Sequence, residues 1–186
     1  MHKIAVFASG AGTNFEAIAT ACQRGEIDAE IALLVCDKSH AEAVSRAERL
    51  GVKCFAFNPK EYSSKDEYEQ QIVELLDGEG VELVCLAGYM RIVGSVLLRA
   101  YGGRIINIHP SLLPAFAGAR AVEQAVEYGV KVFGITIHWV DDTMDGGKII
   151  AQRAFEYDGN DPEQVHRIGQ QIEHKMYVET IKKILK

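Results

Sequence analysis

The stretch Ile4-Ala-Val-Phe-Ala-Ser-Gly-Ala-Gly-Thr-Asn14 begins as an unbroken apolar run, stops at Ser9-Gly10, and passes through a second glycine, Gly12, into a helical pattern. A short apolar run that does not alternate with polar residues reads as a strand buried on both faces, and such strands belong to parallel sheets covered by helices. The same kind of run recurs at residues 31–36, 54–57, 83–87 and 105–108. Helical patterns fill the intervals at residues 14–24, 41–50 and 64–76. Ser64 and Glu67 fit a capping box at the start of the third, and Gly51 supplies a stop after the second. Strand and helix therefore alternate, which predicts an α/β fold: a single doubly wound, mostly parallel sheet.

The pattern changes in the second half. Strand-like runs at residues 132–140 and 149–155 follow one another, separated by Asp141-Asp142-Thr143-Met144-Asp145-Gly146-Gly147. That acidic, glycine-rich connection is longer than a plain hairpin turn, and the sheet is expected to end in an antiparallel C-terminal portion. A last helix is expected from Asp161 to about Leu185, with Asp161 at the N-cap and Pro162 in the first turn. With no linker, repeat or low-complexity segment, residues 1–186 read as one domain.

The bulk composition excludes several classes. Hydrophobic residues make up 48% and charged residues 25% of the 186, the balance of an ordinary globular chain. A net charge of -6 gives no hint of the basic face that a nucleic-acid binder needs. No apolar run approaches the length of a membrane span, and Ser9-Gly10 ends the first run too early for a signal peptide. Cys22, Cys36, Cys54 and Cys85 form no Cys-x-x-Cys pair and read as free thiols of a cytoplasmic protein rather than disulfides or a metal site.

Two places carry chemistry. The loop Ser9-Gly10-Ala11-Gly12-Thr13-Asn14 joins a strand to a helix start, where free N–H groups favour an anion. It is no dinucleotide fingerprint: Phe15 stands where the third glycine belongs, and only Asp37 offers an acid near the end of the second strand. It reads instead as a seat for a monophosphate, held by the N–H groups of Gly12, Thr13 and Asn14 and the Thr13 hydroxyl. The second place is Asn107-Ile-His-Pro-Ser-Leu-Leu-Pro114. Alternation puts Asn107 and His109 on one face, at the carboxyl end of a strand, where open α/β sheets bind ligands. Asn offers amide hydrogens to a developing oxyanion, and His exchanges protons near neutral pH. Asp145, in its Gly-rich loop, would favour a charged His109 if the two are neighbours.

Taken in order, these motifs resemble the phosphoribosylglycinamide formyltransferases, folate-dependent enzymes of purine synthesis with a Rossmann-like formyltransferase fold. The resemblance covers essentially the whole chain: Ser-Gly-x-Gly-Thr-Asn14, Leu86-Ala-Gly-Tyr-Met-Arg-Ile92, Asn107 to Pro114, Gly134-x-Thr-x-His138, Asp145-x-Gly147 and Glu173-His174. It implies transfer of the formyl group of 10-formyltetrahydrofolate to the amine of 5-phosphoribosylglycinamide, without a metal. Asn107, His109 and Asp145 would be catalytic, and Gly12, Thr13 and Asn14 would hold the substrate phosphate. Glu173 and Gln170 would meet the rest of that substrate. The folate would lie along Met90, Arg91, Ile92 and Val93, beside Asn107, and against Val140 and Asp141, with Lys65 as a cationic contact.

The implied partners are small molecules, not nucleic acid or membrane, and monomer and homodimer both stay open. Alternatives are a formyltetrahydrofolate hydrolase, whose relatives usually carry an extra N-terminal domain, and a non-catalytic nucleotide- or folate-binding sensor. The chain departs from the family pattern at Ala117, at Lys148 and at Gly169, whose place inside a helix costs about 1 kcal/mol relative to Ala.

Overall fold

The computed structural model describes residues 1–186. Seven strands form one sheet: β1 (His2–Ala8), β2 (Ala29–Cys36), β3 (Cys54–Ala56), β4 (Leu83–Leu86), β5 (Ile105–His109), β6 (Val132–Trp139) and β7 (Ile149–Glu156). Their order is β3-β2-β1-β4-β5-β6-β7. The pairs among β1 to β5 are parallel, whereas β5–β6 and β6–β7 are antiparallel. The mostly parallel sheet with an antiparallel C-terminal portion is therefore present as expected. The order in which successive strands are added reverses at β1, so the crevice between the ends of β1 and β4 is a topological switch point.

The unbroken apolar runs follow from burial on both faces. Along β1, Ile4, Val6 and Ala8 pack with Phe15 and Ile18 of α1 (Thr13–Gln23) and Ala43 of α2 (Glu42–Leu50). Met176, Tyr177 and Ile181 of α6 (Pro162–Ile184) complete that side. The alternate residues Ala5 and Phe7 face the opposite way, onto Ile72 and Leu76 of α3 (Lys65–Glu79) and Leu97 and Tyr101 of α4 (Ser95–Tyr101). The fully buried Tyr177 hydroxyl donates to the carbonyls of Leu86 (2.8 Å) and Ile106 (3.3 Å), tying α6 to the ends of β4 and β5. No helix is long and apolar enough to cross a membrane.

Helix ends match the capping signals in part. The Ser64 hydroxyl accepts from Glu67 N at 3.2 Å, but the Glu67 carboxylate turns to the Ser63 N–H at 2.7 Å rather than closing the box on Ser64. α3 runs on through Gly78 and stops at Gly80, in left-handed conformation, about one turn past the expected end. Asp161 caps α6 by accepting from Glu163 N at 2.9 Å. Gly169, inside α6, lies against Ile135 and Phe155, with 3.4 Å from a Cβ placed there to the Ile135 terminal methyl, so the position leaves little room between helix and sheet.

Two helices escape the sequence pattern, α4 and α5 (Ala121–Tyr128). Each is too short to display a 3.6-residue period, and neither N-cap, Gly94 or Arg120, supplies a side-chain cap. The cap of α4 comes from elsewhere. Glu69 of α3, 1% exposed, accepts from Gly94 N (2.6 Å) and Leu97 N (3.3 Å). A Cβ at Gly94 would stand 2.7 Å from that carboxylate, so the approach requires glycine. Removing the carboxylate would orphan two N–H groups at a helix start. Glu69→Ala is expected to cost about 2 kcal/mol in urea unfolding, with Glu69→Gln recovering part of the loss. Equal stability of wild type and Glu69→Ala would contradict the cap.

Candidate active site

At the carboxyl ends of the parallel strands lies a cavity of about 850 Å³. Three segments build most of its wall: the loop after β1, the chain after β4, and the ends of β5 and β6 with the loop that follows β6; residues 118–123 and, from α6, His166 and Glu173 complete it. No group of three His, Cys, Asp or Glu side chains is placed to hold a metal ion.

The first segment is a glycine turn closed by α1. Gly12 has φ 73°, and a Cβ there would stand 2.7 Å from the Ala43 Cβ, so both conformation and space demand glycine. The Thr13 hydroxyl accepts from the Gln170 side-chain amide at 2.9 Å, which leaves its own proton free to donate. Asn14 donates its amide to the Glu173 carboxylate at 2.8 Å, so α6 presents Glu173 at the rim. Gly12, Thr13, Asn14 and Glu173 line the cavity together; Gln170 stands outside its wall and reaches it only through Thr13.

The second segment is tied to the first. Ser9 N donates to Gly88 O at 3.1 Å, and Met90 N donates to the Ser9 hydroxyl at 2.8 Å. Met90 and Ile92 project into solvent at the rim, 72% and 64% exposed, while Val93 is buried. Arg91 donates through Nε to Asp37 Oδ2 at 2.9 Å, and the Asp37 side chain is 1% exposed. The acid at the end of β2 therefore holds an arginine. Lys65 is not part of the cavity wall; its Cε packs against Gly94, where the segment ends. Val140 and Asp141 do line the wall, and the Asp141 carboxylate accepts from Thr143 N at 2.8 Å, which shapes the loop after β6.

The third segment brings the reactive side chains together. In the antiparallel β5–β6 register Asn107 faces His138 and His109 faces Thr136. Asn107 Nδ2 lies 3.3 Å from His138 Nε2, while His138 Nδ1 lies 2.9 Å from the Trp139 carbonyl. His109, 6% exposed, has Nε2 at 2.9 Å from the Phe116 carbonyl and Nδ1 at 3.5 Å from Asp145 Oδ2. Both ring nitrogens therefore face oxygen atoms. The second Asp145 oxygen lies 3.7 Å from His138 Nε2, and Oδ2 also accepts from Gly118 N at 2.7 Å. Asn107, His109 and Asp145 thus meet in one place.

His138, Thr136 and Gln152 escaped the sequence reading as functional positions. Thr136, fully buried, donates to Ser111 O (2.7 Å) and accepts from Leu113 N (3.1 Å), and Gln152 Nε2 donates to Leu113 O (3.0 Å). These bonds fix the turn after His109. The available signal was alternation along β6, which puts Thr136 and His138 on one face. Of the departing positions, Ala117 and Lys148 have side chains for which the structure shows no bonded role.

His138, then the Gly118 N–H and His109, hold the Asp145 carboxyl well below its ordinary range, at about 2. A depressed folded-state value stabilises the fold above the unfolded-state value of about 3.9, and the benefit is lost as pH falls toward 2. Asp145→Asn is expected to flatten the fall in unfolding free energy, measured by urea titration between about pH 4 and 2, by on the order of 2 kcal/mol. Superimposable acid limbs for the two proteins would contradict this environment.

Comparison with known proteins agrees with this geometry. The pattern of the formyl transferase family matches residues 2–181. Phosphoribosylglycinamide formyltransferase of Bacillus subtilis (strain 168) is 55% identical over 186 residues, 100% of this chain and 95% of that protein. The crystal structure of glycinamide ribonucleotide transformylase 1 from Geobacillus kaustophilus superposes with a TM-score of 0.97 at 46% identity, covering 100% of both chains. That of phosphoribosylglycinamide formyltransferase from Bacillus halodurans gives 0.95 at 48% identity, covering 99% of this chain and 95% of that one. With a family pattern spanning nearly every residue and the same fold throughout, this chain belongs to the formyl transferase family.

Proposed function

We propose that this chain, acting as one domain in the cytoplasm, transfers the formyl group of 10-formyltetrahydrofolate to the amine of 5-phosphoribosylglycinamide. The observation that carries the reading is the convergence of Asn107, His109 and Asp145 on one wall of the cavity that also joins the phosphate loop to segment 88–93. The donor fits that segment: the exposed Met90 and Ile92 offer apolar surface for a flat ring system, and Arg91 offers a cation for its carboxylates. The acceptor fits the other end, with its phosphate on Gly12, Thr13 and Asn14 and its ribose beside Glu173.

The neutral amine forms a C–N bond to the formyl carbon, and negative charge gathers on the formyl oxygen. Asn107 Nδ2 and His109 Nε2 donate to that oxygen, an interaction that strengthens as charge develops. His109 Nε2 exchanges its bond to the Phe116 carbonyl for this oxygen, so loop 115–120 must yield. Asp145 keeps His109 charged and orders water that carries the amine proton to the departing folate nitrogen as the old C–N bond breaks. No metal takes part in this scheme.

The discriminating assay supplies formyl-folate with and without glycinamide ribonucleotide. Formylated acceptor, formed only when both are present, is the expected result. Formate released equally without acceptor would select a hydrolase, and binding without turnover would select a sensor. Arg91→Ala is expected to raise the Michaelis constant for the donor about tenfold while that for the acceptor stays within about twofold, as for a lost charged hydrogen bond. An unchanged donor constant would remove Arg91 from the donor site.

A further inference from the structure

We propose that Arg46, which lies outside the cavity wall, is a positioning residue that aims the N–H groups of the phosphate loop at the acceptor's phosphate. The inference rests on reading residues 10–14 as that phosphate's seat. Arg46 Nε donates to the Ala11 carbonyl at 2.7 Å, and one turn earlier on the same helix Ala43 N donates to the Gly10 carbonyl at 3.1 Å. The Gly12 carbonyl is taken by Glu16 N at 3.0 Å. Three consecutive carbonyls of the loop are thereby occupied. In a trans peptide the C=O and N–H lie in one plane and point in opposite directions. Turning the Gly10 and Ala11 carbonyls onto α2 therefore turns the Ala11 and Gly12 N–H groups away from it. Neither of those N–H groups has an acceptor within the protein, and both residues line the cavity.

Arg46 is itself held for this task. Its side chain is 19% exposed, and its guanidinium reaches the Glu16 carboxylate through Nη1 and Glu42 at 2.5 Å through Nη2. Glu16 stands on α1, Glu42 on α2, so one guanidinium ties both helices to the loop that leads into α1. With its charge matched by two carboxylates and its Nε spent on a carbonyl, Arg46 acts on the phosphate only through the peptide it orients.

The test compares Arg46→Met and Arg46→Lys with wild type in three readouts: kcat/KM for the phosphorylated acceptor, kcat/KM for the same acceptor lacking its phosphate, and binding of inorganic phosphate by calorimetry. Arg46→Met is expected to lose about tenfold with the phosphorylated acceptor and with inorganic phosphate, the factor that ~1.4 kcal/mol gives. It should lose less than about twofold with the dephosphorylated acceptor, and the donor's Michaelis constant should stay unchanged. Arg46→Lys keeps a cation between the two carboxylates, guards against a Met variant that fails to fold, and should show the same selective loss. One nitrogen cannot serve the carbonyl and both acids in the arginine's geometry. Equal losses with both acceptors, or full phosphate preference in Arg46→Lys, would overturn the inference. A wild-type protein that neither binds inorganic phosphate nor favours the phosphorylated acceptor would sink the phosphate-seat reading itself, and this inference with it.

Discussion

The Asp145 carboxylate sits 14% exposed where the end of β5, the loop that follows it and the end of β6 meet. It accepts from Gly118 N at 2.7 Å and lies 3.5 Å from His109 and 3.7 Å from His138. A half-buried carboxylate is costly unless donors and cations surround it, so each partner is needed by the others. The backbone bends to put it there. Asp145 has φ 50°, a left-handed conformation that Asp tolerates better than most residues. At Gly147 a Cβ would fall 1.7 Å from the Trp139 carbonyl, so only glycine lets the loop fold back over the strand end. Loop 115–120, the end of β5 and the end of β6 all take their mutual positions from this contact.

The sheet divides the work in a way that its topology explains. Its parallel half supplies two loops at the switch point, one that can seat an anion and one with apolar surface and an arginine. Its antiparallel β5–β6 junction gathers the Asn107, His109 and His138 side chains, because that pairing puts Asn107 opposite His138 and leaves His109 one step further along the same face. Ser9 bonds the two loops to each other, Asp37 and Glu69 fix the second, and Tyr177 anchors the last helix beneath both. Apart from the tie between the two loops, these anchors lie behind the cavity, so the groups lining it keep their hydrogen-bonding capacity for ligands.

The alternation of strands and helices was legible because each long element carried its own period: both-face burial made β1 and β2 continuous apolar runs, and α3 and α6 carried local caps. α4 and α5 were not, since the cap of one comes from Glu69 across the fold and the other begins at a left-handed Arg120. At the site, Asn107 and His109 were legible from strand alternation alone, and Asp145 from its glycine-rich loop. His138 and Thr136 stood in the Gly134-x-Thr-x-His138 motif without a role, because their importance lies in register: nothing local says that β6 runs antiparallel to β5 with Asn107 facing His138. Lys65 and Gln170 show the opposite case, positions drawn from family resemblance that the fold sets at one remove from the cavity wall.

The claim on which the account turns is that His109 and Asp145 act as one unit. The most direct measurement is a double-mutant cycle in kcat/KM with His109→Asn, Asp145→Asn and the pair together. If Asp145 works by holding His109 charged and oriented, removing it from a protein that already lacks the histidine costs little, and the double variant is about as impaired as the worse single one. Losses that multiply across the cycle would show two independent contributions and contradict the coupling.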